Sequence, residues 1–156
     1  MINAAKEYCL LIEYLHNYSD EQWLADAARI LPRIQASMAH LDQPNIEYSF
    51  FCVPDLEERF ELYCRLKDRL GEHDAYWLEY DSYAVLEEMT GSLASDFSDI
   101  YFELKRGVNL LNSGNGDEAD VLRLWQTGFI LHWGQHLVNA QKHLLSLRVD
   151  GQFNPE

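Results

Sequence analysis

The chain has 156 residues, 47% hydrophobic and 13% aromatic, with only four prolines and eight glycines, a composition that excludes a disordered or low-complexity chain and supplies a core without disulfides. Twelve Lys and Arg against 26 Asp and Glu give a formal net charge of -14, which disfavours nucleic acid and anionic membranes and favours a basic protein partner or a cation. Cys9, Cys52 and Cys64 lack the spacing of a disulfide framework or zinc knuckle, and no segment reaches the about 20 apolar residues that span a bilayer, so a cytoplasmic protein is predicted.

The first two predicted helices follow each other closely. Apolar residues at helical spacing predict an amphipathic helix from Ile2 to about Tyr18. The sequence 19–22 (Ser-Asp-Glu-Gln) is typical of a capping box, so a second helix is expected directly after it, ending near Leu41. Pro32 lies in the middle of that helix and removes a backbone donor, so we expect the helix to be kinked or split there.

A third helix is predicted between Pro54-Asp55 and Gly71, because proline and acids favour a helix start and glycine favours a helix end. Its other face alternates Lys and Arg with Asp and Glu, Arg59 among them, and we interpret it as a solvated face. The apolar stripe expected to face the core consists of Leu56, Phe60, Tyr63, Leu66 and Leu70.

The connection over residues 72–91 shows no clear helical period and mixes aromatic residues with acids. Such a stretch is expected to be irregular, either packing its rings under the bundle while a carboxylate caps the next helix, or lining a pocket. The candidate pocket residues are His73, Asp74, Tyr76 and Trp77.

Two long helices joined by a turn at 112–116 are predicted between Ser92 and Arg148. The first has acids along the flank of its apolar stripe, and the second carries two histidines one turn apart among large aromatic residues. We expect the helices to lie side by side with the acids facing the histidines. The predicted polar cluster consists of Asp96, Asp99, Glu103, His132, Trp133 and His136.

Three interpretations of this cluster are open. In the first interpretation the cluster is a structural network, in which Arg106 pairs with Glu103 and Asp99 accepts a hydrogen bond from a histidine. Alternatively, both histidines with Asp96 and Asp99 bind a divalent transition metal ion, or the groups form a metal-free acid/base site. No phosphate-binding loop, nucleophile elbow or zincin motif is present, so the predicted cofactor is none, with the metal ion as the alternative.

Three stretches of the sequence resemble the bacterial family described as domain of unknown function 5063, from about Tyr48 onward. These stretches are Gly71-Glu72-His73-Asp74-x-Tyr76-Trp77, Gly91-Ser92-Leu93-Ala94-x-Asp96-x-x-Asp99-Ile100-Tyr101-x-Glu103-Leu104-Lys105-Arg106-Gly107, and Trp125 with His132-Trp133-Gly134-x-His136. The resemblance implies a helical fold and no agreed activity. It draws attention to Asp96, Asp99, His132, Trp133 and His136 without giving them a role.

The predicted fold is all-α: a single domain over 1–156, an antiparallel bundle of about five main helices with a frayed tail at 150–156. The first functional hypothesis is an acidic adaptor that recognises a protein partner through an aromatic groove. The second is a metal-assisted hydrolase or redox enzyme that uses the polar cluster. The third is an immunity-type inhibitor of a basic toxin. The sequence leaves the oligomeric state open.

Overall fold

The computed structural model describes residues 1–41, 55–78 and 89–153. Five main helical stretches form the described part of the chain, which confirms the all-α prediction. They are α1 (Ile2–Glu13), α2 (Asp20–Ala39), α3 (Leu56–Leu70), α4 (Leu93–Asn112), and an unbroken stretch made of α5 (Glu118–Gly128), a π-helical turn (Phe129–Trp133) and α6 (Gly134–Val149).

Helix α4 is central, because it packs against α1, α3, α5 and α6, while α2 packs against α1 and α6. Phe97 on α4 is fully buried and meets the ring of Trp23 edge to face, with the ring centroids 5.4 Å apart. The polar atoms of the neighbouring rings are satisfied: Tyr8 donates to the Phe97 carbonyl at 3.0 Å, and Trp23 donates to the Leu11 carbonyl at 3.3 Å. Each such ring contributes roughly 1.5–3 kcal/mol through burial.

Helix α2 begins where predicted, with one of the two hydrogen bonds of the expected capping box, and it continues through its proline. The Ser19 hydroxyl accepts a hydrogen bond from the Gln22 amide at 3.3 Å. Pro32 is exposed inside one helix that runs from Asp20 to Ala39, so the split alternative does not occur. Leu31 and Ile34 are buried on either side of it, and their packing outweighs the lost backbone hydrogen bond.

The connection over 72–91 is more regular at its ends than predicted. A 3₁₀ turn covers Gly71–His73, and two short strands, β1 (Ala75–Leu78) and β2 (Met89–Ser92), pair antiparallel with Tyr76 opposite Gly91. A Cβ atom at position 91 would come within 2.2 Å of the Tyr76 ring, so glycine lets that ring lie across the neighbouring strand. Residues 79–88 lie outside the described part of the chain.

Helix α3 exposes two residues that its predicted core stripe included. Leu62, Leu66 and Leu70 are buried, whereas Leu56 and Phe60 are 67% and 66% exposed. The stripe prediction is therefore wrong in the first two turns. Arg59 precedes Leu62 by three positions, so this rotation of the helix turns Arg59 toward α4.

The tail is folded back at its beginning, so the prediction of fraying is wrong at Phe153, whose side chain is only 1% exposed. Gly151 has a φ of 74°, a left-handed conformation that lets the chain reverse after α6. Residues 154–156 lie outside the described ranges.

Among the helices that the structure describes, none combines the length and apolar character that crossing a membrane requires.

Candidate metal centre

The beginning of α4 is held in place by the preceding strand pair. Asp74 is buried, and its carboxylate accepts hydrogen bonds from the Ala94 amide and the Ser92 hydroxyl, both at 2.8 Å. Ser92 in turn accepts one from the Ser95 amide at 3.2 Å. These contacts satisfy amides that the first helical turn leaves unpaired. They fix the direction of α4 directly before Asp96.

The structure brings five of the six predicted cluster residues together. On one side, Asp96, Asp99 and Glu103 follow one another along one face of α4. Opposite them, the π-helical turn carries His132 and α6 carries His136. His136 Nδ1 lies 2.8 Å from Asp96 Oδ1 and its Nε2 lies 3.5 Å from Asp99 Oδ2. His132 Nδ1 lies 3.6 Å from Glu103 Oε1 and its Nε2 lies 3.8 Å from Asp99 Oδ1.

Both histidines therefore have a carboxylate beside Nδ1 and direct Nε2 toward the same aspartate, Asp99. For His136 the arrangement fixes the tautomer. The two oxygens of Asp96 accept from His136 Nδ1 and from the Tyr76 hydroxyl, and an ionised carboxylate can only accept. His136 then carries a proton on Nδ1, and in the neutral ring the lone pair of Nε2 points at Asp99.

Trp133 is the predicted cluster residue that lies elsewhere. Its side chain is fully buried, its Nε1 donates to the Trp125 carbonyl at 3.2 Å, and its ring meets Phe129 edge to face. It supports the π-helical turn instead of contributing a polar group to the cluster. Gly134 serves the same turn, because a Cβ atom there would lie 2.4 Å from the Phe129 carbonyl oxygen. Turns of this kind often occur at functional sites.

Arg59 supplies the positive charge that the acids require, and no sequence pattern predicts this contact. Its guanidinium contacts Asp99 Oδ1, and its side chain is 32% exposed. The structural-network interpretation predicted that Arg106 would be the counter-charge and would pair with Glu103. Within the described residues Arg106 forms no ion pair with Glu103. The helical pattern of α3 could not reveal the contact, because it depends on how α3 is rotated against α4.

Two buried carboxylate oxygens of the cluster lack a hydrogen-bond partner among the described residues, Asp99 Oδ2 and Glu103 Oε2. Leaving a buried charged acceptor unpaired costs about 1–3 kcal/mol or more. The Asp99 side chain is 3% exposed, whereas those of His132 and His136 are 40% and 27% exposed. The cluster thus has a buried acidic floor and a side that solvent reaches.

The pKa values of two cluster residues are shifted. Burial raises the pKa of the Asp96 carboxyl, although hydrogen bonds from His136 and Tyr76 oppose the shift. The carboxylate of Glu103 raises the pKa of His132, and burial opposes this shift. Perturbed groups of this kind gather at functional sites.

The predicted pocket residues of the connection have separate positions. Tyr76 belongs to the cluster through Asp96, and its ring stacks on His143 with the centroids 4.7 Å apart. The His73 carbonyl accepts a hydrogen bond from His143 Nε2 at 2.7 Å. Asp74 caps α4, and Trp77 is 66% exposed. Within the described residues, these four side chains do not line a common pocket. The contact of Tyr76 with Asp96 depends on a strand that is too short to recognise from its sequence.

The spacing of the donor atoms suits a metal ion. One ligand atom each from Asp99, His132 and His136 lie within 4.8 Å of one another. Bonds of about 2.0–2.1 Å in tetrahedral geometry place zinc ligands about 3.3–3.4 Å apart. His136 Nε2 lies 3.5 Å from Asp99 Oδ2 and His132 Nε2 lies 3.8 Å from Asp99 Oδ1, so ligation through a single Asp99 oxygen requires one imidazole to move. Asp96 does not converge on this point, because His136 and Tyr76 occupy its oxygens.

The fold and the cluster define a helical-bundle protein with histidines and carboxylates between two of its helices. More particularly, the chain belongs to the family described as Domain of unknown function (DUF5063), whose profile matches residues 1–150. The match thus also includes α1 and α2, ahead of Tyr48. A crystal structure of protein BF1032 from Bacteroides fragilis is similar, with 25% identity and a TM-score of 0.75 over 94% of this chain and 89% of that chain. No curated protein matches the chain.

Proposed function

We propose that this chain is a metal-dependent hydrolase in which Asp99, His132 and His136 bind a divalent transition metal ion. The observation that carries the proposal is the buried Asp99 Oδ2, which has no hydrogen-bond partner among the described residues and faces His136 Nε2 at 3.5 Å. A buried oxygen without a partner is costly, and a cation bound there removes that cost. Arg59 contacts the other oxygen of Asp99, Oδ1, so Oδ2 remains open to an ion, and His132 Nε2, which lies 3.8 Å from Oδ1, would turn toward that ion.

The groups around the three ligands fit this function. Histidine ligands of metal ions usually donate their second nitrogen to a carboxylate, which fixes the ring and raises its basicity. Asp96 has this position at His136, with a contact of 2.8 Å, and Glu103 has it at His132, with a longer contact of 3.6 Å.

The chemistry follows from the number of ligands. Three protein ligands leave positions open for water, and a bound divalent ion lowers the pKa of that water. Glu103 lies on the Nδ1 side of the His132 ring, away from the ligating Nε2, so a proton lost by the bound water would pass to solvent on the open side of the cluster. Two histidines and one carboxylate also suit Fe(II) in redox enzymes. We favour hydrolysis, because it needs only a water molecule at the open position, and the identity of the bound metal decides between the two.

The test is the metal content of protein purified without added chelator, measured by inductively coupled plasma mass spectrometry. We expect about one equivalent of a transition metal in the unmodified chain, and loss of that metal in His132→Ala, His136→Ala and Asp99→Asn variants. His16→Ala is the matched control, because His16 is exposed outside the cluster. A folded, metal-free chain that takes up no zinc, cobalt or iron on titration would contradict the proposal.

A second candidate function, binding of a protein partner, is favoured by the exposed face of α3. Leu56 and Phe60 are 67% and 66% exposed beside the exposed acids Glu57 and Glu61. Apolar anchors surrounded by acids fit a partner that is apolar at the centre and basic at its rim. An adaptor and an immunity-type inhibitor of a basic toxin both use such a surface.

The partner hypothesis is tested by co-purification from the native host at low and high salt. Replacing Leu56 and Phe60 together by serine should release any partner that docks on this face. Replacing Val149, which is 76% exposed on α6, by serine should leave it bound. Recovery of the same proteins with both variants would remove α3 as the docking face.

A further inference from the structure

A pocket of about 340 Å³ opens beside the metal cluster, between α3 and α4. It shares two walls with the cluster, since Asp99 and Glu103 line both. Its other lining groups include the three cationic side chains Arg59, Lys105 and Arg106. A pocket of this size accommodates a small metabolite, and its position makes it the natural place for the substrate of the proposed hydrolase.

Among the described residues, Arg106 is the cation in this pocket that has no partner. Lys105 pairs with Glu13, and Arg59 pairs with Asp99. Arg106 is half-buried, and over 1–41, 55–78 and 89–153 it forms no hydrogen bond and no ion pair. A guanidinium has five N–H donors in a fixed fork that matches phosphate and carboxylate oxygens. A half-buried fork without a partner is therefore suited to an oxyanion.

Two of the four acids that line the pocket, Asp55 and Asp99, are engaged by other groups, whereas Glu58 and Glu103 add negative charge to it. The Asp55 carboxylate accepts from the Glu57 and Glu58 amides, at 3.0 and 3.4 Å, as the cap of α3. Asp99 is neutralised by Arg59. A divalent ion at the cluster would add two positive charges at the pocket wall. The acidic surface of the chain thus does not prevent an anion from binding at this point.

Arg106 lies on the same helix, α4, as the acids of the cluster. At 1.5 Å per residue, Arg106 lies about 4.5 Å along the helix axis from Glu103 and about 10.5 Å from Asp99. Arg59 contacts Asp99 and also lines the pocket, so it lies between the two sites. A ligand held by both arginines would extend from Arg106 toward Asp99, the acid that the pocket and the cluster share.

We propose that this pocket binds the phosphate group of a small phosphate ester, with Arg106 and Arg59 as donors, which makes phosphate esters the substrate class of the hydrolase. This inference rests on the proposed function. In the reaction, a water oxygen forms a bond to phosphorus as the ester bond from phosphorus to the alcohol oxygen breaks. The water releases one proton to solvent and the alcohol oxygen takes up one proton, so the products are the free alcohol and inorganic phosphate.

The experiment titrates inorganic phosphate into the full chain, metal-free or loaded with one equivalent of zinc, by isothermal calorimetry. We expect phosphate to bind the zinc-loaded chain and Arg106→Ala to weaken this binding about 10-fold or more, since a charge-assisted contact is lost. Arg106→Lys should recover part of the affinity, because charge is kept and the fork is lost. Arg123→Ala is the control, because Arg123 is an exposed partner of Asp120.

The outcomes separate this inference from the metal proposal. Zinc binding without phosphate binding overturns the phosphate pocket and leaves the metal site standing. Phosphate binding that Arg106→Ala does not change also overturns it. Phosphate binding to a chain that binds no zinc, reduced by Arg106→Ala, supports the pocket while the metal proposal fails. Zinc affinity should be the same in the Arg106 variants and the unmodified chain.

Discussion

Asp96 determines which nitrogen of His136 is available, because it accepts the Nδ1 proton while Tyr76 donates to its second oxygen. Replacing Asp96 by asparagine keeps the shape of the side chain and removes its charge. We expect zinc affinity to fall about 10- to 100-fold, the usual effect of losing a group that orients a histidine ligand. A competition titration against a chelator of known affinity measures this. Unchanged zinc affinity in the Asp96→Asn variant would mean that the contact does not orient a ligand.

Glu103 gives the metal-free protein a defined pH dependence. Its carboxylate raises the pKa of His132, so the folded chain holds this proton more tightly than the unfolded chain does. The resulting stabilisation is complete below about 6.5, the pKa of an unperturbed histidine, and is lost as the pH rises through the raised folded value.

Urea unfolding with a chelator present, at pH 5.5 and 8.5, tests this dependence on the unmodified chain and on Glu103→Gln. We expect the variant to lose more stability relative to the unmodified chain at pH 5.5 than at pH 8.5. The same loss at both values would show that the interaction of Glu103 with the His132 proton does not contribute to folding.

At the scale of the elements, the π-helical turn depends on Gly134. In an ordinary helix, replacing glycine by alanine stabilises by up to about 1 kcal/mol. Here the added Cβ would lie 2.4 Å from the Phe129 carbonyl oxygen, so we expect Gly134→Ala to destabilise the chain by roughly 1–3 kcal/mol. Because His132 lies in the turn, zinc affinity should fall as well.

Denaturant unfolding and zinc titration of Gly134→Ala measure both effects. Gln135→Ala is the matched control, because Gln135 is exposed at the next position of the same helix. A Gly134→Ala chain that is more stable than the unmodified one would show that the π-helical turn is not required by the fold.

Helical periodicity was sufficient to predict the helices and the acids that face the histidines. Asp96, Asp99 and Glu103 share a face whatever α4 packs against, and His132 in the π-helical turn and His136 in α6 remain neighbours. The rotation of α3 could not be predicted, because the stripe that contains Phe60 and the stripe that contains Leu62 are both apolar, and burial of the second one turns Arg59 toward Asp99. The contact of Tyr76 with Asp96 could not be predicted either, because four-residue strands are too short to show alternation.

At the scale of the whole molecule, metal binding should stabilise the fold. The ligands come from α4, the π-helical turn and α6, and the unfolded chain does not hold them together. A ligand at 100 times its dissociation constant adds about 2.7 kcal/mol of stability if it binds only the folded state. We expect zinc to raise the thermal unfolding midpoint, a chelator to reverse the rise, and Asp99→Asn to abolish it. An equal rise in Asp99→Asn would place the zinc elsewhere.

Zinc-edge X-ray absorption fine structure of the chain loaded with one equivalent of zinc identifies the atoms bound to the ion. Ligation by Asp99, His132 and His136 should give a first shell of nitrogen and oxygen at about 2.0–2.1 Å, with outer-shell scattering from two imidazole rings that is lost when His132 and His136 are replaced. A sulfur shell near 2.3 Å, which thiolate ligands would give, or a shell without imidazole scattering would contradict it.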